Sequence, residues 1–217
     1  MCMVHFSDIW IQFLIALVAS GVAVFLALLI DRMRIPKLLM TVGDTHEKAF
    51  FPGRVAWFRV SVENIDFPRG SRWLLRRQTA ENCTATGEFY QNNKHLFSMS
   101  GLWASAPELA YLTNQEKRLK FIYPNPATIQ VNRNQLLNVI VKHEGDSEAY
   151  GWNNAAYIFD SRTPAYKLEI GSFLVRAIVF TQNGKTFQKD FELIVGETIE
   201  TTCLTNLVKK PSKKKES

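Results

Sequence analysis

Cysteine is scarce in this chain of 217 residues, which contains three, Cys2, Cys83 and Cys203, at widely separated positions. Three scattered cysteines cannot form the disulfide framework that stabilises small secreted domains. Their odd number also favours a reducing compartment for the folded part. We therefore expect a domain held together by an ordinary hydrophobic core rather than by covalent cross-links.

Charged residues are absent from Ile9 to Ile30, and the eight residues before this run include no lysine or arginine. At about 1.5 Å per residue the run forms roughly 33 Å of helix, close to the thickness of a bilayer core. A cleaved secretory signal would have a basic start and a small-residue cleavage site, and neither is present. The sequence predicts a retained transmembrane helix over residues 9–30, after an N-terminal flank of residues 1–8.

Basic residues flank this predicted span on one side only. Residues 31–37 form a basic juxtamembrane segment with Arg32, Arg34 and Lys37. The positive-inside rule then places everything after the span in the cytoplasm. The glycosylation pattern at 82–84 points the other way. We give it less weight than the charge rule, because single sequons often occur by chance and this one lies in a predicted strand.

Small residues line one side of the predicted span, at Ala16, Ser20, Ala23 and Ala27. A stripe of this kind lets a second helix approach closely, which would allow a homo-oligomer. The alternative is that alanine and serine are simply common in membrane helices.

Nucleophile and phosphate-binding motifs are missing: the sequence has no Gly-x-Ser-x-Gly pattern and no glycine-rich phosphate loop. We expect no catalysis and no cofactor. The alternative is a membrane-attached enzyme, metal-dependent if it uses the acidic turn 143–148, where His143, Glu144, Asp146 and Glu148 are residue types that bind metals.

Alternating apolar and polar residues dominate the rest of the chain and predict β-strands. In one run Phe58, Val60 and Val62 share a face, and in another Phe191, Leu193 and Val195 do so. Asn183–Gly184 predicts the turn of a closing hairpin. We expect about seven or eight strands in an antiparallel β-sandwich spanning residues 38–203.

Two segments carry a family resemblance. The stretch FRVSVEN and, after a loop, TAENCTATGEF resemble prokaryotic immunoglobulin-like domains, with Val62, Asn64, Ala80 and Asn82 at the matching positions. The chain as a whole is similar to uncharacterised single-pass archaeal and bacterial membrane proteins with a β-sandwich after the span. The resemblance implies a mainly β, immunoglobulin-like sandwich acting as a tether or interaction module, and no catalytic residues are transferred with it.

Basic residues outside the span suggest partner contacts. One group, at 69–77, comprises Arg69, Arg72, Trp73, Arg76 and Arg77, and the other, in the predicted disordered tail 204–217, comprises Lys209, Lys210, Lys213, Lys214 and Lys215. Either could bind anionic lipid or an acidic partner, or simply be solvated. Residues 38–203 as a whole are nearly neutral, with a formal net charge of +1, so nucleic-acid binding is not expected. We expect a membrane-tethered module that binds a protein partner.

Overall fold

The computed structural model describes residues 4–50, 53–72, 75–105, 126–158, 160–182 and 185–207. The chain forms two compact units. The first, which we call the anchor unit, contains Met1–Lys37 and Asp66–Gln78. The second, the β unit, contains Leu38–Ile65 and Thr79–Ser217.

A single long helix, α1 (Val4–Arg34), dominates the anchor unit. It continues one turn beyond the predicted end of the span, because nothing in residues 31–34 breaks a helix before Pro36. Its segment Trp10–Arg34 is long and apolar enough to cross a membrane, with a mean hydropathy of 2.9 over its most apolar window. Its described side chains are exposed on every face, as an all-round apolar sequence requires if lipid is to solvate it.

The β unit consists of two antiparallel sheets. Thirteen strands occur within the described residues. They are β1 (Leu38–Val42), β2 (His46–Phe50), β3 (Gly53–Asn64), β4 (Ala80–Gln91), β5 (Lys94–Ser100), β6 (Leu102–Trp103), β7 (Ala127–Ile129), β8 (Asn134–His143), β9 (Ala149–Gly151), β10 (Lys167–Leu168), β11 (Gly171–Phe180), β12 (Thr186–Val195) and β13 (Cys203–Asn206). The first sheet has the order β1-β3-β8-β9-β10, with β2 also paired to β3 and β6 to β8. The second has the order β13-β12-β11-β4-β5, with β7 paired to β4.

The predicted alternation matches the buried face of the long strands. In β3, Phe58, Val60 and Val62 are buried, and in β12 Phe191 and Leu193 are fully buried. Side chains from both sheets form one large hydrophobic cluster. A second, smaller cluster joins residues of the first sheet, among them Val141 and Tyr150, to Trp152 and to Ala156 of the short helix that follows β9. The structure therefore confirms a mainly β unit built from two antiparallel sheets.

The closing hairpin joins β11 and β12, whose register runs from Gly171 opposite Val195 to Phe180 opposite Thr186. Its predicted turn, Asn183–Gly184, lies outside the described residues. A short helix that the sequence did not predict, α2 (Asn154–Ile158), follows β9. Asn153 Oδ1 accepts a hydrogen bond of 2.7 Å from the Ala156 N–H, so a side-chain cap starts this helix.

One lysine links the two sheets at an edge. The Lys189 side chain on β12 donates to the Met40 carbonyl on β1 at 2.7 Å. It also donates to Asn206 Oδ1 on β13 at 2.8 Å. This residue, which we call the edge lysine, therefore fixes β1 to the second sheet.

Candidate functional site

The C-terminal end of α1 is capped by a distant loop of the anchor unit, residues 66–78, which we call the arginine loop. The last carbonyl groups of a helix lack partners within the helix. Here the Gln78 N–H donates to the Arg34 carbonyl at 2.7 Å, and the Arg77 guanidinium donates to the Ile35 carbonyl at 3.0 Å. A cation at this end also opposes the negative end of the helix dipole.

Asp66 closes the arginine loop on itself. Its side chain is only 5% exposed and lies 3.4 Å from the Arg72 guanidinium. Burial alone would raise the pKa of this carboxyl, but backbone hydrogen bonds from Phe67 and Arg77 and the charge of Arg72 together lower it. The Arg77 guanidinium also lies 4.2 Å from the centre of the Phe67 ring. These contacts hold both ends of the loop together.

Positive charge is concentrated around this capped helix end. Residues 31–37 and 66–78 contain seven basic and two acidic side chains, a formal net charge of +5. Arg32, Arg69 and Arg76 are exposed, and none of the three forms an ion pair within the described part of the chain. Of the predicted contact residues, Arg77 and the backbone of Arg76 contact the end of α1, whereas Arg69 and Arg72 belong to the same loop without a contact to the helix among those described.

Other predicted contact residues cannot be placed. Trp73 and the five tail lysines, Lys209 to Lys215, lie outside the described residues. Ala16, Ser20, Ala23 and Ala27 do share one side of α1, and all four are exposed in the single chain. Their role in packing against a second helix stays a prediction.

The acidic turn after β8 does not gather its carboxylates at one point. Glu144 pairs with Arg54 at 3.0 Å, and Asp146 with Arg162 at 2.6 Å. Glu148 pairs with a third cation, Lys167, at 3.0 Å. No group of three or more potential metal ligands occurs in the parts of the chain that the structure describes. The turn is arranged as three separate ion pairs.

Lys142, just before this turn, is fully buried. Its Nζ donates to the Ser147 carbonyl at 2.9 Å and to the Gly196 carbonyl at 2.8 Å. Burial lowers the pKa of this amine, and the charges of Asp146 and Glu148 oppose that effect. The lysine therefore ties the acidic turn to the segment after β12, and no signal in the sequence marked it.

We expect Lys142→Met to destabilise the protein by about 1–3 kcal/mol, because the Ser147 and Gly196 carbonyls lose their shared donor while the packed volume is kept. Lys142→Ala should cost more, since it also leaves a cavity. Urea unfolding of the full chain in detergent measures both. Equal stability of Lys142→Met and the wild type would show that these hydrogen bonds contribute nothing.

The solvent-facing side of the second sheet, which we call the outer face, combines apolar and charged side chains. On β11 the outward positions include Leu174, Arg176 and Ile178, each half-buried, and Phe180, which is 42% exposed. A strand with apolar residues on both faces is typical of a sheet that is covered on both faces.

A rigid polar network crosses the middle of the outer face. Arg176 binds Asp190 through two hydrogen bonds of 2.8 and 3.3 Å. Its guanidinium lies 5.5 Å from the centre of the Tyr90 ring, and the Tyr90 hydroxyl donates to Glu88 at 2.6 Å. These contacts hold the Tyr90 ring in place beside Leu174.

A shallow groove of about 220 Å³ opens at one end of this face. Its lining includes Tyr90, Leu174 and Leu207, with Asn92 and Glu192 supplying polar groups. Small-molecule sites usually have volumes of roughly 300–1,000 Å³. At about 220 Å³ this groove is smaller than that range.

The apolar run FLVRAIVF carried the sequence signal of the outer face. Three aromatic residues near glycine or asparagine, Trp103, Trp152 and Tyr157, are compatible in sequence with either of two roles, lining a groove or filling the ends of the domain. Trp103 is buried, with its indole N–H donating to the Cys83 carbonyl at 3.0 Å. Trp152 is also buried, and the Tyr157 side chain lies outside the described set. The two tryptophans belong to the interior.

Comparison of the chain with models of protein families, with curated proteins and with solved structures finds no match. The functional argument therefore depends on the residues and contacts described above.

Proposed function

We propose that this is a single-pass membrane protein whose β unit lies in the cytoplasm and binds a protein partner through its outer face. The length, apolar character and exposure of α1 support the span. The basic residues that follow it, Arg32, Arg34 and Lys37, support the orientation. On this proposal the two-sheet fold is an immunoglobulin-like sandwich used as an interaction module.

The observation that carries the partner-binding role is the composition of β11. Leu174, Ile178 and Phe180 point outward beside the fixed Tyr90 and Arg176 side chains. Tyrosine and arginine are enriched at the centres of protein interfaces, where they lose little conformational freedom. The nearby groove of about 220 Å³ supplies a pocket for one anchoring side chain.

Site-specific photo-crosslinking tests this role in native membranes. We expect a photoreactive residue at Ser172, which lines the groove, to form a discrete adduct with a protein. The same residue at Arg133, which is exposed outside the outer face, is the matched control and should give none.

A charge introduced into the face should remove that adduct. We expect Leu174→Asp to weaken the Ser172 adduct at least about tenfold, because burying an unpaired carboxylate in an interface costs more than 1.4 kcal/mol. Thr41→Asp adds the same charge at an exposed position on β1 and should leave the adduct unchanged. Adducts of equal strength at Ser172 and Arg133 would contradict a specific outer-face partner.

A further inference from the structure

We infer that the arginine loop binds the phosphate groups of anionic lipids at the surface of the membrane that α1 crosses. This inference rests on the proposed span and adds a lipid specificity to the anchor unit. The decisive contacts are those of Gln78 and Arg77 with the carbonyls at the end of α1, at 2.7 and 3.0 Å. They fix the loop to the helix within the anchor unit itself, so the loop stays at the level where the helix leaves the bilayer.

The loop presents charge that its own unit does not neutralise. Asp66 forms an ion pair with Arg72 and accepts hydrogen bonds from backbone N–H groups inside the loop. Arg69 and Arg76 are exposed and form no ion pair within the described residues, although the charge of Arg76 also acts on Asp66. Guanidinium groups bind phosphate oxygens through paired hydrogen bonds, and anionic lipids supply these at high local density.

The carboxylates of an acidic protein could form the same paired hydrogen bonds, so location favours lipid over such a protein. A partner protein would have to reach a loop held at the membrane surface, whereas lipid phosphates are present there at all times. Arg77 and Asp66 hold the loop in place, and Arg69 and Arg76 provide its free donors. Changing the second pair therefore removes binding groups while leaving the cap of α1 intact.

This binding is measured as the lipid selectivity of the full chain after reconstitution in phosphatidylcholine bilayers. Electron paramagnetic resonance compares the association of spin-labelled phosphatidylglycerol with that of spin-labelled phosphatidylcholine. We expect the wild type to prefer phosphatidylglycerol roughly three- to fivefold at low salt, with the preference falling as salt rises.

The double variant Arg69→Gln with Arg76→Gln should lose at least about half of that preference. Replacing both by lysine keeps the charge and removes the paired donors, so an intermediate preference is expected. The matched control, Lys94→Gln with Lys185→Gln, removes the same charge from exposed positions of the β unit and should match the wild type.

Three results would overturn the inference: a wild type without lipid preference, an equal loss in the control pair, or no loss in the glutamine pair. The first, together with binding of an acidic peptide through Arg69 and Arg76, would assign the loop to a protein instead.

The Ser172 adduct is measured in the same variants. If it persists while lipid preference is absent, the lipid role alone is wrong, and if only the adduct is absent, the partner role alone is wrong.

Discussion

Moving the basic flank of α1 to its other end should transfer the β unit across the membrane. The variant replaces Arg32, Arg34 and Lys37 by glutamine and introduces lysine for Val4, Phe6 and Ser7. Topology follows the lysine and arginine difference between the two ends of a span, so we expect a large fraction of molecules to invert. The loop arginines lie beyond the roughly 15–20 residues from the span over which basic residues set topology, so they should not prevent the change.

Asn82 provides the readout in microsomal translation. It belongs to a glycosylation pattern and is exposed on β4, at an irregularity in the β4–β7 pairing. The wild type should remain unglycosylated, whereas the inverted molecules should carry one glycan. Adding Asn82→Gln to the inverted variant is the control and should abolish the change in gel mobility that the glycan causes. A glycan on wild-type Asn82 would reverse the orientation proposed here.

Gly196→Ala should strongly destabilise the β unit. A Cβ atom at this position would lie 2.5 Å from the Thr201 carbonyl oxygen and would also collide with the Thr201 side chain. Backbone cannot move aside cheaply, and the Gly196 carbonyl must stay in place to accept the Lys142 hydrogen bond. We expect a loss of about 3 kcal/mol or more, near the upper end for overpacking.

For a protein of this length such a loss lowers the melting temperature by roughly 6–12 °C. Thermal unfolding of the full chain in detergent, followed by circular dichroism, measures it. Gly70→Ala is the matched control, because no atom lies within 4 Å of its added Cβ, and its effect should stay within about 0.5 kcal/mol. A melting temperature unchanged by Gly196→Ala would mean that the segment after β12 packs differently.

The parts of this fold that the sequence predicted are those with a long regular pattern. The apolar run of α1 is unmistakable because it spans six turns without a charge, and β3, β4 and β12 each show alternation over many residues. Strands such as β6 and β10 are two residues long. No periodicity can be detected over two residues, so the sheets contain more strands than the seven or eight expected.

The contacts that matter most at the candidate sites depend on tertiary structure. The arginines of 69–77 were visible as a basic cluster, but nothing local indicated that Arg77 would cap α1 from 42 positions away. Likewise, Glu144, Asp146 and Glu148 form a compact group in sequence, while their ion pairs point to three separate cations. Sequence proximity predicts a shared site only when the backbone between the residues brings their side chains together.

The edge lysine also determines how the molecule would respond to a mechanical load. The chain passes between the anchor unit and the β unit at residues 37–38, 65–66 and 78–79, so β1 is one of the strands that would carry tension between them. Five residue pairs join β1 to β3. The hydrogen bond from Lys189 to the Met40 carbonyl also connects β1 to the second sheet. Tension must break the Lys189–Met40 hydrogen bond together with the β1–β3 hydrogen bonds before β1 detaches. Because both sheets then share the force, the first strand resists peeling more strongly than its five residues alone would allow.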